Sequence, residues 1–123
     1  DVIFETTVFA PLRQPGPAAT RLRAMVEALD EYFESGTRIC LPALIGLGPH
    51  RDQFSSAIAA YFQRWIDALA VALAETGIPS QTNRAAAAEA VALIQGGIVL
   101  SRALGTTEPF RQALATTLDL PQR

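Results

Sequence analysis

The sequence holds one histidine, His50, and one cysteine, Cys40, among its 123 residues, and that scarcity bounds the chemistry. Hydrolysis through a nucleophile needs a base and a group that orients the base. His50 stands at an expected helix start with no such partners at a useful spacing, so its ordinary reading is an exposed side chain. A structural zinc ion normally takes four cysteine or histidine ligands, and two such residues cannot supply them. Cys40 lies in an apolar stretch and is expected as buried filler rather than a reactive thiol. The carboxylates Glu27, Asp30, Glu31 and Glu34 resemble an acid/base cluster only in sequence, because they fall on the polar face of an amphipathic helix. Gly46, Gly48, Gly96 and Gly97 follow no strand and match no phosphate-binding fingerprint. No catalytic residue, metal or cofactor is therefore expected, and the chain reads as a non-enzyme.

Two groups of residues remain with something to do. Tyr61, Phe62 and Trp65 form an aromatic stripe that is either core or one wall of a ligand pocket, since pockets in helical folds lie between helices and are mostly apolar. In the second case Met25, Leu29, Leu44 and Ile66 line the same space, with Tyr32 and Gln95 as its polar groups. Gln95 alternatively shares a solvated stripe with Arg84 and Arg102. The second group is the run at 91–105, VALIQGGIVLSRALG, which is apolar at helical spacing and interrupted by two glycines. Each glycine costs about 0.5–1 kcal/mol relative to alanine inside a helix, so a closely approaching backbone is expected to offset it. Around the wheel apolar or small groups cover all but a narrow stripe at Gln95 and Arg102. A helix covered all round is sandwiched between its own core and a partner. Gly97, Ser101 and Gly105, spaced by four beside Ala90, Leu93 and Leu100, form a ridge of small groups suited to that partner.

These residues need helices to position them. Residues 1–12 read as the tail end of a helix, closed by the turn formers at 13–17. From 18 to 35 the apolar positions Leu22, Met25, Val26, Leu29, Tyr32 and Phe33 share one arc, with Pro17 suited to the start and Gly36 to the left-handed stop. A short buried helix is expected at 39–47. The stripe Phe54, Ile58, Tyr61, Trp65, Leu69 and Leu73 predicts a long helix over 51–76, stopped by the Thr-Gly-Ile-Pro sequence at 76–79. Another begins at Ser80 or Thr82 and ends at Gly105. A last one spans 107–118, capped by Thr106 or Thr107 and apolar through Phe110, Ala113, Leu114 and Leu118.

Composition agrees with one all-α domain over residues 1–123, a bundle of five to six helices. Half the residues are hydrophobic and 18% charged, which excludes a disordered chain. No uninterrupted apolar run reaches the length of a membrane span, so a soluble protein is expected. The net charge of −2 and pI near 5.3 lack the basic field that DNA binding requires, and the chain should not bind DNA by itself. A lone cysteine precludes an internal disulfide and makes a reducing cytoplasm the expected setting. Starting at Asp1 with neither a methionine nor a signal-like n-region, the chain is expected to be a fragment that begins part-way through a longer protein.

The order of elements, with RLRAMVEALDEYFESG at 21–36, FSSAIAAYFQRWIDALAVALAETGIP at 54–79 and AVALIQGGIVLSRALGTTEPFRQAL at 90–114, resembles the C-terminal domain of TetR-family transcription regulators of the LmrA/YxaF-like branch. The resemblance implies a domain that dimerises and binds a small hydrophobic inducer, and that modulates DNA binding by an N-terminal helix-turn-helix domain. That DNA-reading part is absent from this sequence, and the sense of regulation implied is repression. It also implies that residues 82–104 and 107–118 build a four-helix interface in a homodimer. Leu104, Phe110 and Leu114 would then join Leu93, Gly97, Leu100 and Ser101 at that surface. Ligand would enter between the helices at 18–35, 39–47, 51–76 and 82–104 and bias a two-state dimer by about 1–3 kcal/mol.

Overall fold

In the computed structural model the chain is described over residues 5–33 and 51–122, with side chains there except at 51–55, 57, 80, 81 and 122. A π-helical turn, Glu5–Phe9, runs into α1 (Ala10–Arg13), followed by α2 (Ala18–Tyr32), α3 (Arg51–Glu75), α4 (Ser80–Leu104), α5 (Glu108–Asp119) and a closing 3-10 turn, Leu120–Gln122. Five helices and no strand occur among the described residues, in agreement with the all-α expectation. The predicted helix at 39–47 lies outside the described residues, as do Cys40, Leu44 and His50.

Local chemistry accounts for most of the boundaries. Pro11 has no N–H to give Thr7, and its ring crowds that carbonyl, so the turn ahead of α1 widens to the π form. Pro17 opens α2 with its carbonyl accepting from the N–H groups of Thr20 and Arg21 at 3.0 and 3.1 Å. The helix is described to Tyr32, with Phe33 at its C-cap donating its N–H to the Leu29 carbonyl at 2.9 Å, and the expected boundary at residue 35 lies outside the described residues. The stop after α3 is a left-handed turn at Gly77 (φ 101°), with Ile78 N–H returning to the Leu73 carbonyl at 3.4 Å. Thr76 Oγ1 donates to that same carbonyl at 2.6 Å. Gly105 ends α4 in the same way, at φ 70°, with Thr106 N–H bonded to the Ser101 carbonyl.

The amphipathic face of α2 buries as its spacing requires. Leu22, Met25, Val26, Leu29 and Phe33 are all within the core, while Tyr32 is half-buried. Across from them α3 contributes Trp65, Leu69 and Leu73, and α4 contributes Ala87, Ala90, Ile94 and Ile98. Phe110 of α5 closes the core, its ring meeting Phe33 edge-on at 6.0 Å. Glu27 and Glu31 lie exposed on the outer side of α2, as a solvated face demands.

The N-terminal segment is held down by arginines. Arg21, with its side chain 13% exposed, donates to the Leu12 carbonyl at 3.1 Å and to Glu75 at 2.6 Å, joining α1, α2 and α3. Arg64 of α3 lies 4.3 Å from the centre of the Phe9 ring and 3.8 Å from Glu5, which also pairs with Arg13. Pairs this exposed add little stability individually, so Val8, Phe9 and Leu12, all buried, carry most of the attachment.

One bond determines how α5 begins. Thr107 occupies the cap position without a side-chain cap bond, and Thr106 Oγ1 lies 3.4 Å from the Glu108 nitrogen. The donor in the first turn that is buried, Phe110 N–H, instead reaches Ser101 Oγ on α4 at 3.0 Å. A neighbouring helix thus supplies the capping oxygen. Ser101→Ala leaves that N–H buried and unmade, and chemical denaturation should show a loss of about 1–3 kcal/mol.

Candidate functional site

The geometry of α4 separates its two glycines. A Cβ at Gly97 would lie 2.9 Å from the Phe110 Cα, 3.0 Å from the Pro109 carbonyl oxygen and 3.2 Å from the Ala113 Cβ. The absent side chain is what lets α5 approach this closely. A Cβ at Gly96 would meet nothing within 4 Å. One glycine therefore serves packing inside the subunit, and the other lies open on the outer face.

This differs from the partition expected from sequence, which gave Gly97 and Ser101 to a partner. Both face α5 of the same chain: Gly97 is buried, and Ser101 is 2% exposed with its hydroxyl engaged by Phe110. Phe110 and Leu114, also expected at the interface, are likewise spent in the subunit's own core. Gly105 is exposed and serves as the left-handed stop. The remaining three, Leu93, Leu100 and Leu104, are 36, 52 and 67% exposed. Val99, at 58%, joins them and was missed. Four of the five exposed large hydrophobic side chains among the described residues thus belong to this one helix, with Val71 standing alone on α3.

Edges of the exposed face are set by the neighbours. On one side Gly97 marks the line of contact with α5. On the other, Arg84 pairs with Asp67 of α3, and Gln95 shares that side of the wheel. Gln95 is half-buried, and its Nε2 is shielded from solvent with no hydrogen-bond partner. Such an unmade donor carries a desolvation penalty on the order of 1–3 kcal/mol.

The expected ligand wall is distributed unevenly. Met25, Leu29 and Trp65 are fully buried in the core, whereas Tyr32, Phe62 and Ile66 are partly buried against it. Phe62 stacks on Trp65 with ring centres 6.4 Å apart and planes 17° from parallel. Two clefts among the described residues lie elsewhere. One, of about 320 Å³, is bounded by Ile78, Pro79, Thr82, Ala86 and Leu120. The other, of about 290 Å³, sits at the turn formed by Ser101, Arg102, Gly105, Thr106 and Thr107.

The residues 82–104 also correct the membrane expectation in one respect. By length and composition this helix is apolar enough to cross a bilayer, with a mean hydropathy of 1.4, although only 39% of that window is buried. Counting uninterrupted apolar residues hides this, because the alanines and aliphatic side chains keep the average high across Gln95, the two glycines and Arg102 that interrupt the run. Ala87, Ala90, Ile94 and Ile98 nevertheless place one edge of the helix in the helical core.

An all-helical domain with a paired α4 and α5 and an apolar outer face is the class that the fold defines. The family model described as "Transcriptional regulator LmrA/YxaF-like, C-terminal domain" matches residues 18–116, and the chain belongs to that family of TetR regulator C-terminal domains. No curated protein matches the chain. No solved structure does so either.

Proposed function

We propose that the chain is the effector-binding and homodimerisation domain of a TetR-like transcription regulator, a cytoplasmic repressor that releases DNA on binding a small hydrophobic inducer. DNA contact in this reading belongs to a separate N-terminal helix-turn-helix domain, and neither catalysis nor a cofactor is proposed. The supporting observation is the double character of α4, with one edge in the core and Leu93, Leu100 and Leu104 exposed on the flank beside the α5 contact. Dimerisation gives that face an occupant. For the effector, the support is Gln95, a buried amide nitrogen without a partner on the side of α4 that meets α3. Half-buried Phe62 and Ile66 provide apolar surface on α3.

Trp65 is the one tryptophan in the sequence and is fully buried, so its emission reports on the core. Titration with neutral aromatic compounds should give a saturable change in that emission together with a rise in melting temperature. Gln95→Met should weaken such binding up to roughly tenfold by deleting one hydrogen bond, while leaving the free domain equally or more stable. A second reading, a helical interaction module without a pocket, is favoured by the complete burial of Met25, Leu29 and Trp65. Under it no compound in the panel changes the emission, and Gln95→Met alters stability alone.

A further inference from the structure

We infer that Pro11 is a register lock: it holds residues 5–9 one residue out of α-helical phase, and without it the segment turns into a second, continuously α-helical seating that brings Thr7 to the surface. The chain from Glu5 to Arg13 is helical without a break, passing from the π-turn Glu5–Phe9 into α1. In an α-helix over that stretch residue 11 would donate its N–H to the Thr7 carbonyl, and proline has none to donate. The π-turn accommodates this by taking in one extra residue. Each α-helical residue turns the chain by about 100° and advances it by about 1.5 Å, so the extra one resets the phase of the residues on its N-terminal side by those amounts.

Burial identifies the register. Counting back from Leu12 at about 100° per residue, an α-helix places Pro11 and Val8 within about 100° of it, and carries Thr7 to about 140°, beyond the edge that Pro11 marks. The structure shows the reverse at that edge: Thr7 is buried, at 6% exposure, and Thr6 is exposed. One extra residue accounts for both. It brings Thr7 round to the core and leaves Thr6 on the flank that Thr7 would otherwise occupy.

The contacts made in this register are of unequal strength. Arg64 of α3 lies 4.3 Å from the centre of the Phe9 ring and 3.8 Å from Glu5, so one guanidinium meets both ends of the π-turn, and Glu5 pairs with Arg13 as well. Charged contacts this exposed hold weakly. The steric constraint from Pro11 is permanent. On the other side of the turn the chain is anchored, with Leu12 buried and its carbonyl accepting from Arg21 at 3.1 Å. Freed of Pro11, the segment therefore rotates ahead of Leu12 while α1 keeps its place. The lock thus decides the angle at which the residues ahead of α1 enter the bundle.

The test measures the rate at which iodoacetamide alkylates single cysteines in the full chain with Cys40→Ser, with and without Pro11→Ala. Thr7→Cys should be protected while Pro11 is present and react at least about tenfold faster with Pro11→Ala, because thiol reactivity follows exposure. Thr6→Cys, at a position already exposed, should react more slowly after Pro11→Ala, since it moves to the half-buried place of Glu5. Val8→Cys should stay protected in both backgrounds. Opposite changes at neighbouring positions are the signature of rotation. Unchanged rates at positions 6 and 7 mean that Pro11 does not set the register, and overturn the inference. Faster reaction at positions 7 and 8 together means that the segment detaches rather than turns, and overturns it too. Should circular dichroism show that Thr7→Cys fails to fold, the slowing of Thr6→Cys decides alone.

Discussion

Gly97→Leu is expected to destabilise the fold of the single subunit itself, through a clash between α4 and α5. A leucine here meets the backbone of Phe110 and Pro109 at distances that side chains do not tolerate, with Cβ alone 2.9 Å from the Phe110 Cα. The atoms in the way are backbone and the short Ala113 side chain, so rotamer changes cannot relieve the clash. Either α5 moves out, uncovering Phe110 and Leu114 and stretching the 3.0 Å bond to Ser101, or α4 bends. Overpacking of this kind costs about 1–3 kcal/mol, and loss of the Ser101 bond adds to it. Thermal unfolding should show a drop of roughly 10 °C or more, since one kcal/mol corresponds to about 4–8 °C in a small domain. Gly96→Leu serves as the control, with open space at its Cβ and no comparable loss expected in the isolated subunit.

Leu100→Arg should produce the opposite pattern. The side chain is 52% exposed and contributes little to the core, so helicity and melting temperature of the subunit change little. Under the proposed homodimerisation, self-association should fall by at least two orders of magnitude, because a two-fold interface that includes this face buries the new charge twice. Sedimentation velocity across a concentration series reads this directly. An unchanged mass distribution for Leu100→Arg would remove the outer face of α4 from the interface.

Periodicity carried the helices because burial repeats where the chain turns. The arc of Leu22, Met25, Val26 and Leu29 predicted α2, and all four are buried. The Gly77 and Gly105 stops were likewise legible, since each needs a positive φ that other residues rarely adopt. What periodicity could not do was orient α4. With apolar groups on nearly every side, the wheel cannot tell the core edge from the free face, and spacing by four at Gly97, Ser101 and Gly105 pointed equally well to either neighbour. The deciding fact is a distance between Gly97 and a helix that begins eleven residues later, which no local pattern encodes. The ligand wall met a related obstacle. Trp65 and Phe62 belong to the same stripe, yet one is fully buried and the other only partly, a difference set by what packs above them.

The bond from Phe110 to Ser101 has a mechanical consequence. Together with the close approach at Gly97 it locks α4 and α5 into one stiff pair that cannot slide without breaking a buried contact. On its α3 side α4 is held by the core, with Trp65, Leu69 and Leu73 packed in one cluster with Ala90 and Ile94, and its polar contacts there are an exposed Arg84–Asp67 pair and Gln95 with its unmade donor. A displacement of α4 would therefore carry α5 with it, so that the surface bearing Leu93 and Leu100 moves as one piece with the α5 core side chains Phe110 and Leu114.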